Sequence, residues 1–156
     1  MIIGIGIDLV RISRIQEMLK RWEDRFLNRV FTPSEIVSAQ KKKSQHIPSQ
    51  GSHPSQAAFR LSGLFAVKEA VLKGLGIGFQ MGVGWQEIET WHNNLGKPVT
   101  TLSGKVQQIA REQGVSEIFV SLSHEGDYAI AQVILTGSGT ETCATRNMSQ
   151  MGLEGS

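Results

Sequence analysis

Hydrophobic and polar positions divide the chain into segments with distinct rhythms. From Ile2 to Val10, the residues Ile3, Ile5, Ile7 and Leu9 alternate with Gly4, Gly6 and Asp8, which predicts a β-strand with its isoleucine face in the core. The opposite face lacks side chains at Gly4 and Gly6 and then carries a carboxylate. A neighbouring element is therefore expected to pack close to the backbone there, with Asp8 placed to meet it. Ile12, Ile15, Leu19, Trp22 and Phe26 recur at helical spacing and predict one buried stripe on a helix that ends near Asn28 to Phe31. Thr32-Pro33-Ser34-Glu35 supplies a capping threonine, a proline at the first helical position and a glutamate three residues after the cap, so a second helix starts there.

Ala57 to Leu75 returns to the helical rhythm, with Leu61, Leu64, Phe65, Lys68, Leu72 and Leu75 along one side, and reads as the central helix. Gly74, Gly76, Gly78, Gly82 and Gly84 follow as a connector whose backbone a ligand can approach. Trp85 to Trp91 and Val99 to Leu102 predict a hairpin around the turn His92 to Pro98, and Lys105 to Gln113 a short helix ended by Gly114. Ile118 to His124 and Tyr128 to Leu135 predict two strands joined by Glu125-Gly126-Asp127. The class is α+β. Lys41 to Gln56, with Ile47 as its one large aliphatic residue and with two prolines, reads as a mobile surface loop. Gly137 to Ser156, without an aromatic residue, reads as a disordered tail, which leaves residues 1–136 as the folded domain.

Composition narrows the function classes. A chain of 156 residues that is 40% hydrophobic suits one domain with a genuine core. Its 16 Lys+Arg against 14 Asp+Glu give only +2, which excludes a protein built to coat nucleic acid. No apolar run reaches the ~20 residues of a membrane span, and the start lacks the leader of a secreted chain. The single Cys143 excludes an internal disulfide and a cysteine-rich metal cage, so a reducing, cytoplasmic setting is expected. His46 and His53 in the loop and His92 in a turn do not suggest a histidine metal site.

Candidate chemistry centres on the central helix, where Ser62, Ala66, Glu69 and Lys73 share a face. The commoner arrangement is an ion pair within the helix between Glu69 and Lys73, worth ~0.2–0.5 kcal/mol. Asp8 opens an alternative, because two carboxylates from separate elements, both among small residues, can converge on one hard cation. Mg2+ is typically held by one or two carboxylates, with waters and substrate phosphates completing an octahedron. Lys73 and the amides of the Gly74 to Gly78 segment could then bind phosphate. Arg14, Met18, Arg21 and Arg25 form a separate stripe on the first helix, ordinarily a solvated basic face.

Four separated motifs then carry a resemblance: GIGIDLV at Gly4 to Val10 with Arg14-Ile15, FAVKEAVLKGLG at Phe65 to Gly76, LGKP at Leu95 to Pro98, and SLSHEGDYAIAQVI at Ser121 to Ile134. In this order, over Met1 to about Leu135, the chain resembles the holo-[acyl-carrier-protein] synthases, the small bacterial 4′-phosphopantetheinyl transferases. The resemblance implies a 4′-phosphopantetheinyl transferase-like fold, an antiparallel sheet packed against helices. It implies transfer of phosphopantetheine from coenzyme A to a serine of apo-acyl carrier protein, with adenosine 3′,5′-bisphosphate released, in support of fatty acid biosynthesis. By this resemblance Asp8 and Glu69 hold Mg2+, and Asp8, Glu69 and Lys73 form the catalytic set. Lys73 binds phosphate, Gly76 lets the backbone approach the cofactor, and His124 lies near the nucleotide end of coenzyme A. Arg14, Arg21 and Met18 meet the acidic carrier protein, and the active unit is a homotrimer with its sites between subunits.

The serine proton passes either to Glu69 or to a metal-bound water. Where the family has an arginine before its FAxKEA motif the chain has Leu64, and Arg60, one turn earlier, is the candidate replacement. Leu75 and Ile77 stand where the family has phenylalanine and threonine. Three other readings compete: a non-catalytic binding module, which would not need both carboxylates; a Mg2+-dependent phosphohydrolase, which leaves the arginine stripe unexplained; and a dinucleotide-binding unit, for which Gly4-Ile5-Gly6 lacks the third glycine.

Overall fold

A computed structural model of the protein describes residues 1–41, 54–78 and 81–138. Strand β1 (Ile2–Arg11) passes directly into α1 (Ile12–Val30), followed by α2 (Pro33–Gln40), α3 (Gln56–Leu75) and a 3-10 turn (Trp85–Glu87). Then come β2 (Ile88–His92), β3 (Pro98–Leu102), α4 (Gly104–Glu112), β4 (Glu117–Glu125) and β5 (Tyr128–Thr136). β1, β5 and β4 form an antiparallel sheet in that order, and β2 and β3 form a second antiparallel pair. The α+β class expected from the sequence is the one observed.

α3 is buried on almost every side, from Ala58 through Val67, Val71 and Leu75, as an apolar helix at the centre of a fold must be. Ser55 caps it by accepting from the Ala58 amide at 3.1 Å, and it stops at Gly76, whose φ of 67° is the left-handed conformation that ends helices. α3 lies across β1 and β5, and the glycines of β1 make this approach possible. A Cβ on Gly6 would overlap the Ala70 carbonyl oxygen, and one on Gly4 would overlap that of Gly74. The element expected to pack against β1 is thus the central helix itself, backbone to backbone.

The capping box of α2 forms as expected: Thr32 Oγ1 accepts from the Glu35 amide, and Glu35 Oε2 accepts from the Thr32 amide at 2.9 Å. The 3-10 turn takes the first three residues of the expected Trp85 to Trp91 strand, because Glu87 turns back to cap α4 through the Val106 amide at 2.8 Å.

Two expectations about burial are corrected. Ile5, Ile7 and Leu9 do not enter the core; they are 57%, 54% and 60% exposed, and it is Gly4, Gly6, Asp8 and Val10 that face α3. The alternation was right but the covered face was the other one, because α3 covers a single side of the three-stranded sheet. Across that sheet Ile5 aligns with Ile134 and Phe119, and Leu9 with Ile130, so the uncovered side is also apolar. Trp22 is 47% exposed instead of closing the α1 stripe. Ile12, Ile15, Phe26 and Val30 carry the burial, and the indole lies under the Arg21 guanidinium 5.2 Å from the ring centre.

Most of the expected loop and tail, with Ile47, His46, His53 and Cys143, lies outside the described residues. At their margins the fold extends further than expected. Gln56 already belongs to α3, and the Gly137 amide donates to the Met1 carbonyl at 3.0 Å.

Candidate active site

Asp8 sits on β1 opposite Ala131 of β5, on the face turned toward α3. Its Oδ1 accepts a hydrogen bond from Lys73 Nζ at 2.7 Å, with the Asp8 side chain 14% exposed and that of Lys73 54%. Lys73 therefore reaches across to the strand, and the ion pair within the helix is not the one formed. Glu69 lies one turn before Lys73 and is half-buried. Burial, and then the Asp8 charge, push its carboxyl above the ordinary value, while Lys73 and Arg14 pull it back. Helix and strand thus bring Asp8, Glu69 and Lys73 together, with the charge of Arg14 felt at Glu69.

Two carboxylates that repel each other in a partly desolvated setting are a donor set that a divalent cation relieves. Their hard oxygens suit Mg2+, and no group of three or more His, Cys, Asp or Glu is present among the described residues. Two carboxylates leave coordination positions for water and phosphate oxygens. Past Lys73 opens a cleft of about 640 Å³, lined by Gly4, Ile5, Lys73, Gly76, Met81 and Glu112 among others, within the size range of small-molecule sites. Nothing lies within 4 Å of where a Gly76 Cβ would be, so the backbone at the end of α3 is bare to the cleft. A smaller cleft of about 340 Å³ between α1, α2 and α3 contains none of the predicted site residues.

His124 stands apart. Its Nε2 lies 3.0 Å from the Phe59 carbonyl oxygen and its ring stacks on Phe59 at 3.9 Å, with Gly63 leaving room for it. Burial lowers its pKa, which favours the neutral imidazole. Phe59 and Gly63, the α3 residues it touches, precede Glu69 by ten and six residues, so at about 1.5 Å per residue the imidazole sits roughly 9–15 Å along the helix from Glu69. One chain does not bring His124 to Asp8 and Glu69.

Arg14, Met18 and Arg21 do share a face of α1, with both arginines exposed and Met18 half-buried against the core. Arg60, the candidate for the arginine missing at Leu64, is engaged elsewhere in this chain. Its guanidinium donates to the carbonyls of Ser38 at 3.0 Å and Lys41 at 2.7 Å, closing the C-terminus of α2, and Leu64 is buried in the core. Sequence reasoning passed over Lys68, which it placed on the apolar stripe. The side chain is 0% exposed and pairs with Glu35 at 2.9 Å. A lysine within an apolar stripe needs a buried partner, and that need was the signal.

The fold is that of a phosphopantetheine-transferring class: residues 4–133 match the family described as the 4′-phosphopantetheinyl transferase superfamily. The holo-[acyl-carrier-protein] synthase of Trichlorobacter lovleyi is 44% identical over 86% of this chain and 98% of its own length, and that of Geotalea daltonii 42% identical over the same shares. Among solved structures, the synthase of Neisseria meningitidis superposes with a TM-score of 0.71 at 32% identity, covering 87% of this chain and 99% of that one. The Helicobacter pylori synthase in complex with coenzyme A superposes with a TM-score of 0.68 at 30% identity, covering 85% and 99%. The chain belongs to the holo-[acyl-carrier-protein] synthase family.

Proposed function

We propose that the enzyme transfers the 4′-phosphopantetheine group of coenzyme A to a serine of apo-acyl carrier protein, releasing adenosine 3′,5′-bisphosphate, at a Mg2+ site formed by Asp8 and Glu69. The observation that carries this reading is the convergence of Asp8, Glu69 and Lys73 beside a cleft that the bare backbone of Gly76 opens. Mg2+ bound there would neutralise the pyrophosphate. With Asp8 holding the cation, the Lys73 ammonium that now pairs with it would be free to meet the phosphate oxygens, where it would stabilise charge on the transferring and leaving groups. Glu69 is this chain's candidate to receive the serine proton.

The exposed arginines Arg14 and Arg21, with Met18 between them, form the surface for the acidic carrier protein. The influence of Arg14 on Glu69 supports delivery of the carrier serine beside the site. The apolar outer face of the sheet, with Ile5, Ile7, Leu9 and Phe119 exposed, supports assembly into a homotrimer. Sites shared between subunits account for the separation of His124 from Glu69 within one chain. The reaction would supply holo-carrier protein for fatty acid biosynthesis in the cytoplasm. Incubation with coenzyme A, Mg2+ and an apo-carrier protein tests the reading by mass spectrometry. The carrier should gain the mass of one phosphopantetheine, and should not gain it with Asp8→Ala or Glu69→Ala. An unmodified carrier after incubation with the unaltered enzyme would refute the assignment.

A further inference from the structure

Lys68 precedes Glu69 in the chain, and its ammonium is used entirely by groups outside α3. It pairs with Glu35 Oε2 at 2.9 Å and donates to the Trp85 carbonyl at 3.1 Å and to the Ile88 carbonyl. The Glu35 side chain, 1% exposed, also accepts from the Thr90 amide through Oε1 at 2.9 Å and from the Thr32 amide through Oε2 at 2.9 Å. The start of α2, the middle of α3, the 3-10 turn and β2 are joined at this one buried pair. Neither charge touches the cleft or the carboxylates of the site, so the transfer reaction itself makes no use of it.

A buried ion pair is not the most stabilising way to fill a core, because desolvation can cancel the attraction, and apolar replacements are often neutral or better. What it supplies here is direction. On its other side α3 rests on Gly4 and Gly6, a contact of backbone on backbone, while its apolar side chains share the core with Val10, Ala131, Val133 and Leu135 of the sheet. Apolar burial is non-directional and acts on the rotation of the helix only through shape. Lys68, held by three acceptors on three elements, adds a directional constraint. At 3.6 residues per turn, successive residues point about 100° apart, so fixing the direction of Lys68 fixes that of Glu69.

We propose that the Glu35–Lys68 ion pair is a positioning device that sets the rotation of α3 so that Glu69 and Lys73 face Asp8. The proposal rests on the reading of Asp8 and Glu69 as a cation site and names the part of the fold that holds that site in register. Partners that hydrogen-bond metal ligands directly typically account for about 10- to 100-fold in metal affinity, which sets the scale for a constraint that acts through the helix.

The test is the double variant Glu35→Gln/Lys68→Met, which removes both charges, nearly conserves volume and keeps an acceptor for the Thr90 amide. Folding is followed by circular dichroism and thermal denaturation, and Mn2+ binding by electron paramagnetic resonance titration of the enzyme without coenzyme A. The folded double variant should bind Mn2+ about 10- to 100-fold more weakly, with kcat reduced and KM for carrier protein unchanged, since α1 is untouched. A folded double variant with unaltered Mn2+ affinity overturns the proposal. If the double variant does not fold, Glu35→Asp retains the charge and shortens the reach; weakened Mn2+ binding there supports the proposal and unaltered binding overturns it. Failure of the unaltered enzyme to bind Mn2+ would instead defeat the cation site, and the proposal with it.

Discussion

Asp127, in the tight turn between β4 and β5, caps α1 through Ser13: Oδ1 accepts from the Ser13 amide at 2.8 Å and Oδ2 from the Ser13 hydroxyl at 2.6 Å. Its carbonyl also accepts from the Ile12 amide at 2.8 Å. The residue before α1, Arg11, offers no cap of its own, so a distant hairpin aims the helix that bears Arg14, Met18 and Arg21. Asp127→Ala should cost about 1 kcal/mol of stability, as loss of a helix cap does. It should also raise KM for carrier protein several-fold while KM for coenzyme A stays the same. Steady-state kinetics with each substrate varied in turn would reveal an equal rise in both, which would separate Asp127 from carrier docking.

Charge reversal tests the proposed docking face directly. Arg14→Glu/Arg21→Glu should weaken carrier binding by at least about tenfold, since like charge set against an acidic partner costs a few kcal/mol. For the unaltered enzyme, KM for carrier protein should rise with ionic strength as these exposed charges are screened. Carrier affinity that responds to neither change would place docking elsewhere.

The glycine seam predicts a steep local cost. Gly6→Ala drives a methyl group into the Ala70 carbonyl and should lower stability in denaturant unfolding by roughly 1–3 kcal/mol, the usual cost of overpacking. Gly76→Ala meets no neighbour but must hold a left-handed backbone, at roughly 1–2 kcal/mol. A Gly6→Ala protein as stable as the original would mean that helix and strand do not touch there.

The proposed role of Glu69 as a metal ligand makes cation binding depend on pH. Burial and the Asp8 charge raise its folded value above that of the unfolded chain, so the folded protein holds this proton more tightly. Its contribution to the stability of the metal-free enzyme is complete below the ordinary glutamate value of about 4.3 and is lost as pH rises through the raised one. Mg2+ at the proposed site would bind the deprotonated form, so the increase in melting temperature caused by Mg2+ should grow with pH across that interval. Thermal denaturation with Mg2+ and with chelator over a pH series measures it. An increase that does not vary with pH, or that persists in Glu69→Gln, would remove Glu69 from the cation site.

The outer face of the sheet is expected to be a subunit contact. Ile7→Lys, at a position 54% exposed in one chain, should convert a trimer by light scattering into monomers and reduce activity. A monomer already in the unaltered, active preparation would exclude the trimer.

Local rules made much of this structure legible. The alternation from Ile3 to Leu9 identifies β1, Thr32 and Glu35 fix the start of α2, and the small residues around Asp8 and Glu69 mark the two carboxylates as candidates. What escaped depends on a second element. Strand alternation cannot say which face will be covered, so Ile5, Ile7 and Leu9 were assigned inward although α3 lies on their glycine side. Arg60 occupies the right helix turn for a substitute arginine, yet the nearest acceptors are the last carbonyls of α2. Lys68 looked like one more member of an apolar stripe until Glu35, read only as a cap, proved to be its partner.

The seam between β1 and α3 also divides the enzyme by its tolerance for change. Gly4, Gly6, Ala70 and Gly74 leave almost no room for a different side chain, so drift in sequence is resisted where Asp8 faces Glu69. The exposed residues of α1 have no such restriction. On the proposed docking surface, a lineage can therefore follow alterations in its carrier protein by substituting Arg21, whose charge, unlike that of Arg14, is not among those acting on Glu69.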